Sequence, residues 1–509
     1  LNQTILKLAL SAGVIENTTA LLMDLQQVDK LLKCKISDKI KMQWEEQLRQ
    51  LMSQREATAL RYLYNQRKNK QYDSKNSLRK IIYQDFEFFS TIFPVIMVNP
   101  SVCTSILPLK PDLFDFIILD EASQLRLEDT YSSLLRGRTK IISGDKHQMP
   151  PSNFFGSEVL FWSEEEQEIN NGTDEFLAGS KSLLEYAEDA NYKSTYLDYH
   201  YRSLHPQLIQ FSNHAFYQSR LVPMPAKQPY QPVHYYNVEG TYIDGTNLIE
   251  ATAVADFIFN FQFNDDTIPS VGIATFNIFQ RNLILDKLYE MAYADKNKNE
   301  RLQQLLNHGL FVKNLENIQG DERDMLILST TFGRDKEGKF RQAFGPLTQE
   351  KGYQLLNVII TRAKHSLYVF TSIPEAVFTQ FEAELLQKGN SGKSIFYAYL
   401  TYAKACMENN SAQLEFIIST LQKNSKQLST TTNNDEQNIL KKQVYTMLKK
   451  SLPDYTVSQN YGLGGFVLDV VIFKNNHPVL TIDFEPNHLY HSEVAYRIKL
   501  HRQQIIAKY

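Results

Sequence analysis

The sequence predicts a layered α/β fold with parallel sheets. Two similar blocks lie between an N-terminal helical segment and a small C-terminal α/β module. Three observations carry this. Short apolar runs, FPVIMV (93–98), FDFIILD (114–120) and TKIIS (139–143), end in polar turns, as buried parallel strands do. The same style returns in VGIATF (271–276), DMLILSTTF (324–332) and HSLYVFTS (365–372), with amphipathic stretches between. The 509 residues also suffice for several domains at about 100–200 residues each.

Taken in order, residues 1–90 read as helical, with periodic Leu, Ile and Met among Gln, Lys and Glu and almost no Gly or Pro after Gly13. Residues 91–192 form the first strand-bearing block and 193–385 the second. Residues 386–434 are a helical connector ending in the polar run SKQLSTTTNNDEQN, a linker by composition. Residues 435–509 contain a helix (438–452), two strands (FVLDVVIF and PVLTIDFE) and a basic helix. No short-period repeat is visible.

Composition bounds the function. Hydrophobic residues make up 43% and charged residues 22%, which supports large cores and argues against wholesale disorder. Lys and Arg number 54 against 57 Asp and Glu, a balance that neither demands nor excludes nucleic acid, since a basic groove can be local. Cys34, Cys103 and Cys406 form no CxxC pair, which suits a reducing cytoplasm. No apolar run approaches the roughly 20 residues needed to span a bilayer, and the opening LNQTILKLALSAGV has no basic leader region.

The chemistry begins in FDFIILDEASQ (114–124). A buried strand ending in two carboxylates is costly unless something there needs them, and a divalent ion carrying phosphates would. Asp120 is expected to hold Mg²⁺, and Glu121 to orient or deprotonate the attacking water. ISGDKHQMPPS repeats the arrangement on a neighbouring strand: Asp145 ends that strand, and Gln148 can reach the terminal phosphate or its water. Ligands bind at this carboxyl edge of open α/β sheets. Ordinary acidic loop ends would explain DE alone, but not DE followed at this distance by GDxxQxPP.

DEAS with GDKHQMPPS resembles motifs II and III of superfamily 1 helicases, in the branch that includes the nonsense-decay helicase. Further matches arrive in the family's order: YLDYHYRSLHPQLIQFSNHAFY resembles its arginine-bearing motif, LENIQGDERDMLILST motif V, and GYQLLNVIITRAKHSLYVF motif VI. The resemblance covers about residues 90–375. FVKNLENIQGDERD (311–324) is similar to motif V of large bacterial helicases that read FVKNLENVQGDERD there. The resemblance implies two RecA-like domains, ATP with Mg²⁺, and single-stranded or duplex nucleic acid; relatives on this branch use both DNA and RNA, and DNA is the favoured expectation. It implies that Arg202 and Arg362, both from the second domain, reach over a cleft toward the Asp120 and Glu121 acids. One such arginine can contribute on the order of 10³–10⁵ in rate. Gln319, Gly320 and Glu322 would couple nucleotide to strand movement, with Glu322 near the ribose. Asn357 is open between a nucleotide role and simple backbone satisfaction.

A helicase of this class needs a phosphate loop, GxxxxGK[ST], after its first strand. None precedes residue 90. GNSGKS (389–394) is two residues too short between its glycines and follows a helical stretch, so it reads as a decoy. The expectation is that the phosphate loop lies upstream of Leu1, that residues 1–90 are an insertion in the first RecA-like domain, and that this stretch alone hydrolyses ATP poorly.

Tracks for single strands combine backbone contacts with stacking aromatics. PPSNFF offers Phe154 and Phe155, for which core packing is an equal reading, and TFNIFQRN offers Thr275, Asn277 and Gln280 on a strand-to-helix turn. In the C-terminal module one strand carries Asp469 and the next carries Asp483 and Glu485. Period-2 spacing puts the latter pair on one side, where such acids can hold Mg²⁺ for phosphodiester cleavage. The module is similar to the Vsr-like branch of the restriction-endonuclease fold, with the acid pair swapped in order and Pro486 in place of a Gly. An inactive module that binds nucleic acid or merely packs is the competing reading. The leading function is therefore an ATP-dependent helicase or translocase with an endonuclease-like tail. The alternatives are a nucleic-acid-binding protein without motor activity, and a nuclease gated by the RecA-like pair.

Overall fold

The computed structural model describes residues 18–54, 77–151, 182–226, 229–262, 268–318, 320–425, 435–463, 465–484 and 501–506. The chain divides into two compact units, Leu1–Asp145 with Pro150–Tyr192, and Lys146–Met149 with Lys193–Tyr509. The fold is mixed α/β.

The first unit opens with helix α1 (Thr18–Gln54), in the segment read as helical. Trp44 of α1 donates its indole N–H to the Thr91 carbonyl in α2 (Phe86–Ile92). Ile82, Phe89, Cys103 and Leu107 form a small core beside it. Strands β1 (Phe114–Leu119) and β2 (Gly137–Ile142) pair in parallel, with Leu119 opposite Ile142. Buried Arg136 ties the loop before β1 to the end of the helix before β2 by donating to the carbonyls of Leu107, Pro108 and Ser132.

Two expectations need correction here. FPVIMV is not a strand: Pro94 has no N–H for a ladder, and Val95 and Met97 stand in solvent. Nor is β1 buried along its length. Phe116 and Ile118 are 64% and 68% exposed, and the strand is covered mainly at Leu119, which packs with Ala122, Leu134 and Leu183.

In the second unit the buried-strand expectation holds. Five parallel strands lie in the order β5 (Val233–Asn237), β9 (Ala363–Thr371), β8 (Arg323–Ser329), β6 (Val271–Thr275), β7 (Phe311–Asn314). Every residue of β6 is buried, as a parallel sheet covered on both faces requires. On one face Ile273, Ile327, Tyr368 and Phe370 pack with Val254, Ile258, Ile284, Leu288 and Leu305 from three helices between 248 and 307. Helix α3 (Tyr353–Ile360) feeds directly into β9, and the buried helix α4 (Gly392–Met407) packs beside β5. In GNSGKS, residues 389–391 form the loop after the helix Phe381–Lys388, and Gly392, Lys393 and Ser394 are already the first turn of α4. Lys393 there is engaged by Glu384 at 3.4 Å and Gln342 at 2.9 Å. The loop follows a helix, as the decoy reading requires.

The C-terminal stretch of this unit carries helix α5 (Asp435–Ser451) and an antiparallel sheet β10–β11–β12 (Thr456–Leu463, Phe466–Lys474, His477–Ile482). Strand β10 escapes the sequence reading because its residues alternate weakly. A two-residue ribbon, β3 (Tyr199–His200) with β4 (Val222–Pro223), precedes the main sheet. No described helix is long and apolar enough to cross a membrane.

Candidate nucleotide site

In the first unit, parallel pairing delivers the acids together. Ser143 donates to the Leu119 carbonyl and Ala122 donates to the Ser143 carbonyl, so the turns after β1 and β2 run side by side at the carboxyl edge. Asp120 and Glu121 leave β1 there, and Asp145 leaves β2 three residues past its end. Gly144 permits the close approach. A Cβ at this position would come within about 3.1 Å of the Ser123 and Ala122 backbone nitrogens. Glu121 adopts a left-handed backbone, φ 53°, that a non-glycine residue rarely takes. Its N–H donates to Asp120 Oδ1 at 3.0 Å, and its carboxylate accepts from Gln124 at 3.0 Å. Both acids are exposed, and neither makes an ion pair with a described residue. Two solvent-facing carboxylates at a strand end fit Mg²⁺, which takes one or two carboxylates and draws its other ligands from water and phosphates.

In the second unit, the residues that follow Asp145 are gripped by α3. Gln354 donates to the Lys146 carbonyl and Asn357 to the His147 carbonyl, both at 2.8 Å. Arg362, only 3% exposed, donates to Gln148 Oε1 at 3.3 Å. The His147 ring sits among Phe216, Tyr217 and Tyr353, and Tyr217 also accepts from Asn357. Gln354 Oε1 and Asn357 Oδ1 are buried acceptors with no hydrogen-bond partner. Residues 146–148 and residues 353–362 thus form one polar cluster. Asn357 does satisfy a backbone group, as the plainer of its two readings has it.

Arg202 follows the β3 ribbon. It donates Nε to Glu322 at 3.0 Å, and Glu322 also receives Lys364 at 2.5 Å. Lys364 above all, with Arg202, holds the Glu322 carboxyl below its ordinary range, against the opposing effect of burial. Glu322, Arg362 and Lys364 all lie at the amino edge of β8 and β9. Next to them His200, pushed down to about 4 by burial and by Arg202, stays neutral and bonds Ser203 at 2.9 Å. Gly320 is left-handed at φ 83° with open space around it, a conformation that suits glycine. Gln319, Phe154, Phe155 and Glu485 lie outside the described residues.

The expected strand contacts are used internally. Thr275 and Gln280 are fully buried. Thr275 donates to the Asn277 carbonyl, and Gln280 donates to the Asn247 carbonyl and to Ser329. Asn277 caps the helix that begins at Ile278 and donates to the Gly245 carbonyl. The strand-to-helix turn that made these three attractive is the reason they are occupied: its orphan backbone groups need partners. The same carboxyl edge holds a residue that sequence reading missed. Glu250 is wholly buried and accepts from Ser329 at 2.6 Å, the Thr331 N–H at 2.7 Å and Ser372 at 3.1 Å. Burial pushes its carboxyl up to about 7, moderated by those donors.

Residues 179–373 match a family model described as an AAA domain, AAA_12. The chain is 30% identical over 467 residues to an "Uncharacterized ATP-dependent helicase MG140 homolog" of Mycoplasma pneumoniae, covering 88% of this chain and 39% of that protein. It is 29% identical over 410 residues to the "Uncharacterized ATP-dependent helicase MG140" of Mycoplasma genitalium, 78% of this chain and 34% of that one. Over 275 residues it is 25% identical to "Regulator of nonsense transcripts 1" of Dictyostelium discoideum, 50% of this chain and 18% of that protein. The chain is thus similar to proteins named as ATP-dependent helicases. The chain spans 39% and 34% of the length of the two mycoplasma relatives.

Beyond the helicase motifs, the C-terminal acids are brought together but are already occupied. Asp469 accepts from Lys441 at 2.7 Å and from the Phe484 N–H at 2.7 Å. Asp483 accepts from the Asp469 N–H at 3.1 Å and pairs with Arg502 at 2.8 Å. Each carboxylate has its own cation, and no described cluster of three or more His, Cys, Asp or Glu could hold an ion. As arranged, this donor set does not fit Mg²⁺. Lys441 was invisible as a partner because nothing in a helix sequence says which strand its side chain will meet.

Proposed function

We propose that the chain carries working parts of an ATP-driven nucleic-acid translocase. Asp120 holds the divalent ion that accompanies the nucleotide, and Glu121 orients the attacking water and takes its proton. Arg202 and Arg362 neutralise charge that develops on the transferred phosphoryl group, where positioned cations count most. Gln148 reports the state of the phosphate, and Gln319, Gly320 and Glu322 transmit it. Bound Mg²⁺ would supply charge neutralisation at the phosphates. The observation that carries this reading is the grip of α3 and Arg362 on residues 146–148. The chain leaves the acid-bearing strand pair at Asp145 and enters at once a cluster that contains a candidate arginine.

The expected substrate is single-stranded nucleic acid, DNA in preference to RNA, and the expected location is the cytoplasm. ATP turnover by the full-length protein, with and without oligo-dT and oligo-rU, tests the reading. Strand-stimulated hydrolysis lost in Glu121→Gln supports it, and unstimulated or mutation-insensitive hydrolysis sinks it. A coupled endonuclease finds less support. Lys441 and Arg502 would have to leave before an ion could enter, so no cleavage step is assigned. Mg²⁺-dependent nicking that disappears with Asp469→Ala would reinstate it.

A further inference from the structure

The second unit contains a contact that no helicase motif requires. The C-terminal sheet packs on the short arm that leads into Arg202. Met224, Phe466 and Ile505 form a buried cluster with Tyr199, Val222 and Ile506. Tyr199 stacks on Phe466, with centroids 6.2 Å apart, and meets the His501 ring edge-on at 5.3 Å. Tyr201 hydrogen-bonds His501. Arg502, next in sequence, donates to the Val467 carbonyl, anchoring the 501–506 helix to the C-terminal sheet. The Gly465 N–H donates to the Pro223 carbonyl at 3.0 Å. Gly465 is required for that approach. A Cβ there would overlap the Pro223 ring and lie 2.7 Å from its backbone nitrogen.

The arm needs support on this side. After Arg202 it is tied to β9, where Leu204 donates to the Lys364 carbonyl at 2.7 Å. Before Arg202 it is a ribbon with only two register pairs, Tyr199 with Val222 and His200 with Pro223. A ribbon of that length does not hold itself in water. The apolar floor beneath it is supplied by Phe466 and Ile505.

We propose that the C-terminal module is a brace for the Arg202 arm, with Tyr199, Gly465, Phe466 and His501 as positioning residues, so that seating or release of the module sets how well Arg202 is placed. The catalytic part rests on the hydrolysis reading above. A reacting-group misplacement of about 1 Å can cost on the order of 10²-fold, so the brace acts on turnover more than on nucleotide affinity.

The test uses Gly465→Ala and Tyr199→Ala in the full-length protein, with Tyr199→Phe as the variant that keeps the ring. Amide exchange at residues 199–203 and kcat and KM for ATP are measured together. Expected are faster exchange at 199–203 and a fall in kcat by on the order of 10²-fold, with KM little changed, in both disruptive variants, and recovery of both in Tyr199→Phe. Exchange as slow as in the unaltered protein overturns the brace, and so does faster exchange with kcat unchanged. If the unaltered protein turns over no ATP, the hydrolysis reading fails, and exchange at 199–203 still decides whether the module braces the arm.

Discussion

Two pairs of acids on this chain look alike in sequence and differ in structure. Asp120 and Glu121 end a parallel strand, face solvent and have no ion-pair partner among the described residues. Asp469 and Asp483 sit on and just after neighbouring antiparallel strands, mostly buried, and each is closed by its own cation, Lys441 and Arg502. The difference teaches that an acid pair is free to take up an ion only when the fold leaves its charge uncompensated. Partly buried carboxylates without cations would be expensive, so the C-terminal pair recruits them. The strand-end pair stays hydrated at low cost and remains available.

The comparison can be broken by experiment. The largest effect is expected for Glu121→Gln. If Glu121 takes the proton of the attacking water, kcat falls by about 10²–10⁴-fold with nucleotide binding retained, read by steady-state ATP turnover and by titration with a fluorescent nucleotide. Retained turnover would place Glu121 with the merely structural acids.

A third acid sharpens the contrast. Glu250 is buried without any cation, and its carboxyl is pushed up to about 7 from an ordinary 4.5. A raised acid is neutral in the folded state while already charged in the unfolded one. Its contribution is therefore fully present below pH 4.5 and lost as pH rises to about 7. The loss is on the order of 3 kcal/mol, from about 1.4 kcal/mol per pH unit. Urea unfolding at pH 5 and pH 8 should show the slope, and Glu250→Gln should flatten it.

Lys441→Met is expected to cost about 1–3 kcal/mol of stability, because it leaves the Asp469 carboxylate short of its cation. Asp469→Asn in the same background should recover part of that loss, since it removes the stranded charge. Full stability in Lys441→Met would mean that the pair is not closed in solution. The smallest effect belongs to Asp120→Asn. An exposed, unpaired carboxylate contributes within about 0.5 kcal/mol, so its thermal midpoint should scarcely move even if turnover is abolished.

Much of the second unit was legible in sequence. VGIATF, DMLILSTTF and HSLYVFTS became β6, β8 and β9, because a continuous apolar run between polar turns has few other places to go than a doubly covered sheet. FPVIMV shows the limit: the same kind of run, with a proline in it, lies exposed. Motifs located Asp120, Glu121, Arg202 and Arg362 but not their surroundings. Thr275 and Gln280 looked like strand contacts because their residue types suit hydrogen bonding, and the fold used that capacity inside.

What the sequence alone determined is which residues stand at strand ends: apolar runs set the strands, and whatever polar residues follow are left at the edge. Which of those residues remain available was decided by tertiary structure. Lys441 reaching Asp469, Lys364 reaching Glu322, and α3 with Arg362 taking hold of residues 146–148 are contacts between positions 28 to 214 apart. No local pattern encodes such a pairing, because a side chain's partner depends on which elements pack together, and that is settled by burial summed over the whole unit.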